Sequence, residues 1–171
     1  MARFELGGWR WPALLISLLL MLALLTLVAG QVGLFRGTRP ADLGVREGRL
    51  KAPSPTPNSV SSQAGLWPGH PQTAYAQIDG LALRGSGPDT LARLTALLAD
   101  TPGVTLVQTR PDYLQAEFRS RWLGFSDDVE FWVDPAAGVI QVRSASRLGA
   151  EDLGVNRARI ESLRARLAAG A

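Results

Sequence analysis

The feature of this sequence that most constrains its fold is a two-residue alternation of apolar and charged side chains between residues 113 and 143. In YLQAEFRSRW (113–122), every second residue from Leu114 onward is apolar or small, and the residues between them are mostly polar or charged. DVEFWVD (128–134) repeats the pattern around Phe131. Because successive side chains of a strand point to opposite faces, the alternation predicts neighbouring strands with one apolar and one charged face.

The same pattern predicts a hairpin. If residues 135–138 form its loop, Glu130 lies directly across from Arg143, and Phe131 lies across from Val142. A shift of one residue would turn every apolar side chain outward, so the pattern specifies this register.

The other segments predict an α+β domain. TAYAQIDGLAL (73–83) alternates as a strand does, Pro88 opens a helical pattern of leucines, VTLVQT (104–109) reads as a strand, and Asn156 is the expected N-cap of a last helix. The order is strand, helix, four strands, helix. Short connections predict a curved antiparallel sheet with both helices on its apolar face. Folds resembling the TATA-binding protein and helix-grip lipid-binding domains share this order, which assigns no function.

An apolar run precedes this domain. Residues 13–29 carry no charge, and with their neighbours they form a hydrophobic stretch long enough to cross a bilayer as a helix. Trp9, Trp11 and Phe35 stand at its ends, as interfacial aromatic residues do. A cleaved signal peptide is the alternative. The length of the run favours an uncleaved transmembrane anchor that contacts lipid through residues 13–34.

The charges on the two sides of this run predict opposite membrane topologies. Arg3 and Arg10 before it favour export of the domain, whereas five basic residues after it favour retention in the cytoplasm. These five are Arg36, Arg39, Arg46, Arg49 and Lys51. We expect a single-pass membrane protein with an extracytoplasmic domain.

The chain therefore divides into a tail and anchor (1–35), a connector rich in Pro, Ser and Gly (36–72), and the α+β domain (73–171). Prolines in PSPTPNSVSSQ and LWPGHPQ exclude helix and interrupt any sheet. The connector is either a tether or, around TPNSVSSQ, an ordered loop that lies on the domain.

Composition excludes several classes of function. The sequence has no cysteine, which excludes disulfides, thiolate metal sites and cysteine nucleophiles, and His70 is its single histidine. The net charge of +3, from 18 basic and 15 acidic residues, is too balanced for a nucleic-acid surface. We expect no nucleic-acid partner, no metal and no cofactor.

FSDDVEF contains the first candidate site. Asp127, Asp128 and Glu130 are candidates for acid–base catalysis or for binding a divalent ion. The simpler interpretation is a solvated sheet face on which Asp128 and Glu130 pair with arginines such as Arg143. Asp127 should point to the opposite face from Asp128, because the two are neighbours on a strand.

VRSASRLG (142–149) and the serine loop before the domain contain the second candidate site. Guanidinium groups bind phosphate and carboxylate oxygens in pairs, so these residues are candidates for holding an anion. The alternative is that the arginines only neutralise nearby carboxylates. The candidate ligand-binding residues are Asn58, Ser59, Arg119, Arg143, Ser144, Ser146 and Arg147.

Several segments resemble a known family. DLGVREGRL, TPNSVSSQA, FSDDVEF followed by VRSASRLG, and DLGVNR are similar to the bacterial and plastid proteins grouped as domain of unknown function 1499, over residues 42 to 167. The resemblance implies association with the cell envelope and supplies no reaction, substrate or cofactor. Many members carry cysteine in a PNC loop where this chain has Ser59, so a thiol-based role does not transfer.

These features predict a membrane-anchored envelope protein that binds a small apolar or anionic ligand, or a protein partner that the sequence does not identify, without catalysis. The alternative is a hydrolase-like enzyme that combines the acidic cluster with the arginine and serine stretch, with or without a divalent metal. A binder predicts an apolar cavity between the sheet and the last helix. An enzyme predicts that Asp128, Glu130 and Arg143 meet Asn58 or His70 in one concave site.

Overall fold

The computed structural model describes residues 10–170. The predicted N-terminal tail, with Arg3 and Trp9, lies outside the described residues. The first described element is helix α1 (Arg10–Gln31). It is long and apolar enough to span a membrane, and a signal sequence near an N-terminus would have the same properties.

The rest of the chain has the predicted α+β composition. Its elements, in chain order, are β1 (Ser59–Ser61), α2 (Thr73–Ala76), β2 (Leu81–Ala82), α3 (Gly87–Ala99), β3 (Val104–Thr109), β4 (Tyr113–Arg119), β5 (Ser126–Asp134), β6 (Val139–Ser146) and α4 (Val155–Ala169). A single 3₁₀ turn lies between β1 and α2.

The six strands form one open antiparallel sheet in the order β1-β6-β5-β4-β3, and β2 pairs with the other end of β6. The predicted register between β5 and β6 is confirmed, because Glu130 pairs with Arg143 and Phe131 with Val142. The β3–β4 pairing contains an irregularity near Leu106.

The prediction of one strand across residues 73–83 is wrong. Residues Thr73–Ala76 form a helical turn, and only Leu81–Ala82 join the sheet. The edge of β6 that a longer strand would need is already occupied by β1, which the sequence did not predict. Alanine is a strong helix former, so a short Ala-rich alternation does not distinguish the two structures.

The apolar face of the sheet carries the hydrophobic core. Phe131 and Val142 from the sheet, Leu94 from α3 and Ile160 from α4 are completely buried in one cluster. Full burial of each such side chain stabilises the fold by about 1.5–3 kcal/mol. The two helices therefore lie on the face that the alternation identified as apolar.

The starts of both helices differ in detail from the predictions. Helix α3 begins at Gly87, one residue before Pro88, and Ser86 is its N-cap in a reciprocal capping box with Asp89. Helix α4 is preceded by Gly154 in a left-handed conformation with φ of 80°. Asn156, the predicted N-cap, is instead a buried residue of the first turn.

The charged face of the sheet is not solvated, contrary to the prediction. The exposed fractions of Glu117, Asp128 and Glu130 are 3%, 1% and 0%. Residues 36–58, named here the covering segment, lie across this face and contact it through side chains and backbone. The sheet is therefore buried on both sides, by helices on one and by irregular chain on the other.

Candidate functional site

The covering segment and the charged face of the sheet enclose a layer of ionic groups. Strands β4, β5 and β6 place alternate side chains there, since registered strands bring every second residue to one face. We call this set the charged layer; it comprises Arg36, Arg39, Glu117, Asp128, Glu130, Arg143 and Arg147.

Arg147 is the centre of the charged layer. It donates to both carboxylate oxygens of Asp128 at 2.7 Å and to Oε2 of Glu117 at 2.7 Å. Arg39 donates to the same Glu117 oxygen at 2.7 Å, and Arg36 donates to Oε1 at 3.1 Å. Two strands and the covering segment are thus joined by charge-assisted hydrogen bonds, the stronger class of such bonds in proteins.

These contacts decide the protonation of Glu117. Burial alone would raise its pKa, because a charge is costly in a medium of low dielectric constant. The hydrogen bonds from Arg147 and Arg36 outweigh burial and lower the pKa to about 2. Glu117 is therefore a carboxylate at neutral pH and an acceptor for its neighbours.

Glu130 lies deeper in the same layer. Its Oε1 accepts from the Tyr113 hydroxyl at 2.8 Å and from the Gly44 backbone N–H at 2.6 Å. Its Oε2 lies 3.6 Å from Nη1 of Arg143, and neither atom has a hydrogen-bond partner among residues 10–170. Burial raises the pKa of Glu130, and the nearby Arg143 opposes that rise.

Asp127 does not join the charged layer. It points to the helix side of the sheet, as its position next to Asp128 predicted, and forms an ion pair with Arg159 of α4. Ser144 and Ser146 share that side, and each is hydrogen-bonded to Asn156. The three acidic candidates therefore belong to two different sites, one on each face.

The remaining candidate residues make hydrogen bonds outside the charged layer. Asn58 donates from its amide to the Gly149 carbonyl at 2.6 Å, and Ser59 accepts from the Ser54 N–H at 2.8 Å. Arg119 donates to the carbonyls that end helix α1, away from the charged layer. His70 accepts from the backbone of Gln72 and is not part of either site.

A cleft of about 300 Å³ opens where the covering segment meets the end of β6. Arg143, Arg147 and Asp128 line it from the sheet, and Asn58 and Lys51 line it from the covering segment. Lys51 is also paired with Asp42. The cleft thus combines three cations with one carboxylate, and this carboxylate is already held by Arg147.

Sequence reasoning missed Lys51, Arg36 and Arg39 as parts of the site. The signal available was charge complementarity, because these cations precede strands rich in carboxylates. From the sequence, these three residues were interpreted as charges that flank the apolar run. Among residues 10–170, no group of three His, Asp or Glu side chains is arranged to hold a metal ion.

The fold and site define an α+β protein with an apolar N-terminal helix and an antiparallel sheet whose charged face is buried beneath an N-terminal segment. Residues 49–167 match the family described as protein of unknown function (DUF1499), and the chain belongs to this family. The match begins at Arg49 rather than at the predicted Asp42 and ends at Leu167, as predicted. Comparisons with curated proteins and with solved structures found no match.

Proposed function

We propose that this protein is a membrane-anchored module that binds a small oxyanion, a phosphate or a carboxylate, in the cleft between the covering segment and β6. The observation that carries the proposal is the charge of the cleft. The lining contains Lys51, Arg143 and Arg147 and one carboxylate, Asp128. The other carboxylates that pair with these cations are Asp42, Glu130 and Glu117, and they do not line the cleft.

Arg143 is the main group that we expect to contact the ligand. Its side chain is 3% exposed, it lines the cleft, and its Nε donates to the Ala52 carbonyl at 3.2 Å. Its buried Nη1 makes no hydrogen bond with residues 10–170 and lies 3.6 Å from Oε2 of Glu130, which is also without a hydrogen bond. The ion pair with Glu130 is therefore loose, and an oxygen ligand would give the Arg143 guanidinium a closer acceptor, because a buried donor left unpaired costs about 1–3 kcal/mol.

The size and position of the cleft favour a small polar ligand over an apolar one. About 300 Å³ is at the lower end of the range for ligand pockets. The apolar cavity considered for a lipid-like ligand would lie between the sheet and α4. There, Val142, Ile160 and Leu163 pack together in the buried core.

The contacts of the carboxylates argue against the hydrolase alternative. General acid–base catalysis needs a carboxylate that can exchange a proton with a substrate. Asp128 accepts from Arg147 through both oxygens, and Glu130 is sealed between Tyr113 and Gly44. Binding therefore accounts for the geometry better than hydrolysis.

The anchor in this proposal is helix α1. Its length and apolar composition support a membrane-spanning role, and the extracytoplasmic location of the domain stays a prediction. Anchoring would keep the cleft close to one membrane surface, where both free phosphate and lipid headgroups are available.

Titration of inorganic phosphate into the full-length chain in detergent micelles tests the proposal by calorimetry. We expect saturable binding, and Lys51→Met should weaken it by about tenfold, which corresponds to one charge-assisted hydrogen bond. Arg84→Met is the matched control, because it removes an exposed cation outside the cleft and should leave affinity unchanged. A second arm with short-chain phosphatidic acid distinguishes a lipid headgroup from free phosphate.

Lys51 provides an independent readout because it is the only lysine in the sequence. An amine-acylating reagent should modify it more slowly when phosphate occupies the cleft, and mass spectrometry of the Lys51 peptide measures that rate. Equal acylation with and without phosphate, together with no binding heat in either arm, would rule out anion binding here.

A further inference from the structure

The end of helix α1 is fastened to the turn between β4 and β5, residues 120–125. Nε2 of Gln31 donates to the carbonyls of Arg121 and Trp122 at 2.9 Å each. In return, Nη2 of Arg119 donates to the carbonyls of Gly30 and Gln31 at 3.1 and 2.9 Å. The Gln31 side chain therefore satisfies carbonyls of the turn, and the Arg119 side chain, at the end of β4, satisfies carbonyls at the end of the helix.

Two glycines allow this close contact. A Cβ at Gly30 would overlap the backbone of Leu123, and a Cβ at Gly124 would overlap the carbonyl of Gly30. Phe35, just past the helix, stacks on Phe125 with ring centroids 5.5 Å apart. The turn is thus held in a fixed position next to the last residues of α1.

The length of α1 places this turn at the edge of a bilayer if the helix spans it. At 1.5 Å per residue, the 22 residues of α1 span about 33 Å, close to the hydrocarbon thickness of about 30 Å. If α1 crosses the membrane, Gly30 and Gln31 lie at the boundary between acyl chains and headgroups. The turn that contacts them must lie there as well.

The exposed side chains of the turn suit this environment. Trp122 is 65% exposed and Phe125 is 39% exposed, and Val32 and Leu34, just past the end of α1, are exposed as well. The Arg121 guanidinium lies 5.0 Å from the centre of the Trp122 ring. Tryptophan and arginine together are characteristic of membrane interfaces, where one part is apolar and the other contacts phosphate.

We infer that the turn at residues 120–125 is a second membrane contact, with Trp122 inserted at the interface of a phospholipid bilayer and Arg121 directed to the headgroups. The inference rests on the membrane-spanning role of α1 and is independent of anion binding in the cleft. It fixes the orientation of the domain, since the β4–β5 end of the sheet faces the lipid and the β5–β6 end faces away.

The absence of cysteine makes this inference directly measurable, because one introduced cysteine labels one position. Full-length Trp122→Cys carrying an environment-sensitive fluorophore is incorporated into phosphatidylcholine liposomes that contain nitroxide-labelled lipid. Ala136→Cys is the matched control, exposed in the opposite hairpin loop about 30 Å away along β5.

Lipid quenching at position 122 should be at least about threefold stronger than at position 136, because an interfacial side chain sits within 5–10 Å of the acyl boundary. Equal quenching at both positions in incorporated protein would overturn the membrane contact and leave the anchor intact. Release of the chain from liposomes by alkaline carbonate would overturn the anchor and this inference together. Neither result depends on phosphate binding.

Discussion

Arg147 shows how much a single residue contributes when it is bonded to two buried carboxylates. Its three hydrogen bonds connect the residue that follows β6 to β5 and β4. Buried ion pairs do not generally add net stability, because desolvation offsets their attraction. Removal of one member is different, since it leaves the opposite charge buried with fewer partners.

Arg147→Met should therefore lower the free energy of unfolding by about 3 kcal/mol. Methionine keeps much of the side-chain volume, so the loss reports on the charge and its hydrogen bonds. Urea unfolding of the full-length chain in micelles, followed by tryptophan fluorescence, measures the difference. Arg93→Met, on the exposed face of α3, removes the same charge and should change stability by less than about 0.5 kcal/mol. Similar losses in both variants would contradict this role for Arg147.

Helix α3 depends on a cap that lies outside the hydrophobic pattern. The Ser86 hydroxyl accepts from the Asp89 N–H at 3.2 Å, and the Asp89 carboxylate accepts from the Ser86 N–H at 3.4 Å. These bonds satisfy amide groups that have no partner inside the helix.

Ser86→Ala should destabilise the protein by about 1 kcal/mol, because alanine cannot accept the hydrogen bond from the first turn. Ser86→Asn is the control, since asparagine is an equally good N-cap and should retain wild-type stability. Thermal unfolding monitored by circular dichroism compares the two. A loss of thermal stability in both variants, or in neither, would show that the N-cap hydrogen bond of residue 86 does not determine stability.

At the level of elements, the sequence was informative where structure is local and periodic. The pairing of Glu130 with Arg143 followed from the alternation together with the four-residue loop at 135–138, because a shift of one residue would expose Phe131. The burial of Glu130 did not follow, since the chain that covers it has no periodicity and is positioned by contacts such as the one from Gly44. Strand β1 was missed because Ser59–Ser61 is too short to show a pattern.

The candidate site was predictable to a similar extent. Asp128, Arg143 and Arg147 were identified as charged residues of adjacent strands, and the structure brings all three to one cleft. Lys51 completes the cleft from nearly 80 residues earlier in the chain, and sequence spacing carries no information on such a contact. Ser144 was assigned to the same site, but the strand directs it to the opposite face, whereas Ser146 lines the cleft although its hydroxyl accepts from Asn156.

The ionic groups of the whole molecule make its stability depend on pH. Glu117 has a pKa of about 2 when folded and an ordinary value of 4.5 when unfolded. Its stabilising contribution is therefore complete above about pH 5 and is lost as the pH falls from 4.5 towards 2. The pKa of Glu130 is shifted the other way by burial, so its protonation in acid favours the folded state and opposes part of this loss.

Between pH 6 and pH 3, the Glu117 contribution should fall by about 2 kcal/mol. The stability difference between wild type and Glu117→Gln should narrow by that amount, because glutamine cannot ionise. Urea unfolding of both proteins at the two pH values measures this difference in the free energy of unfolding. Carboxylates that titrate alike in the two proteins cancel in the comparison. A difference that stays constant with pH would mean that folding does not lower the pKa of Glu117.

The docking of Gly30 against Gly124 fixes the end of helix α1 directly to the domain. If α1 spans a membrane, the domain is held at the lipid surface and diffuses laterally with its helix. Any binding partner would then be met in the layer of solution next to that surface, and molecules in the bulk would first have to diffuse into that layer.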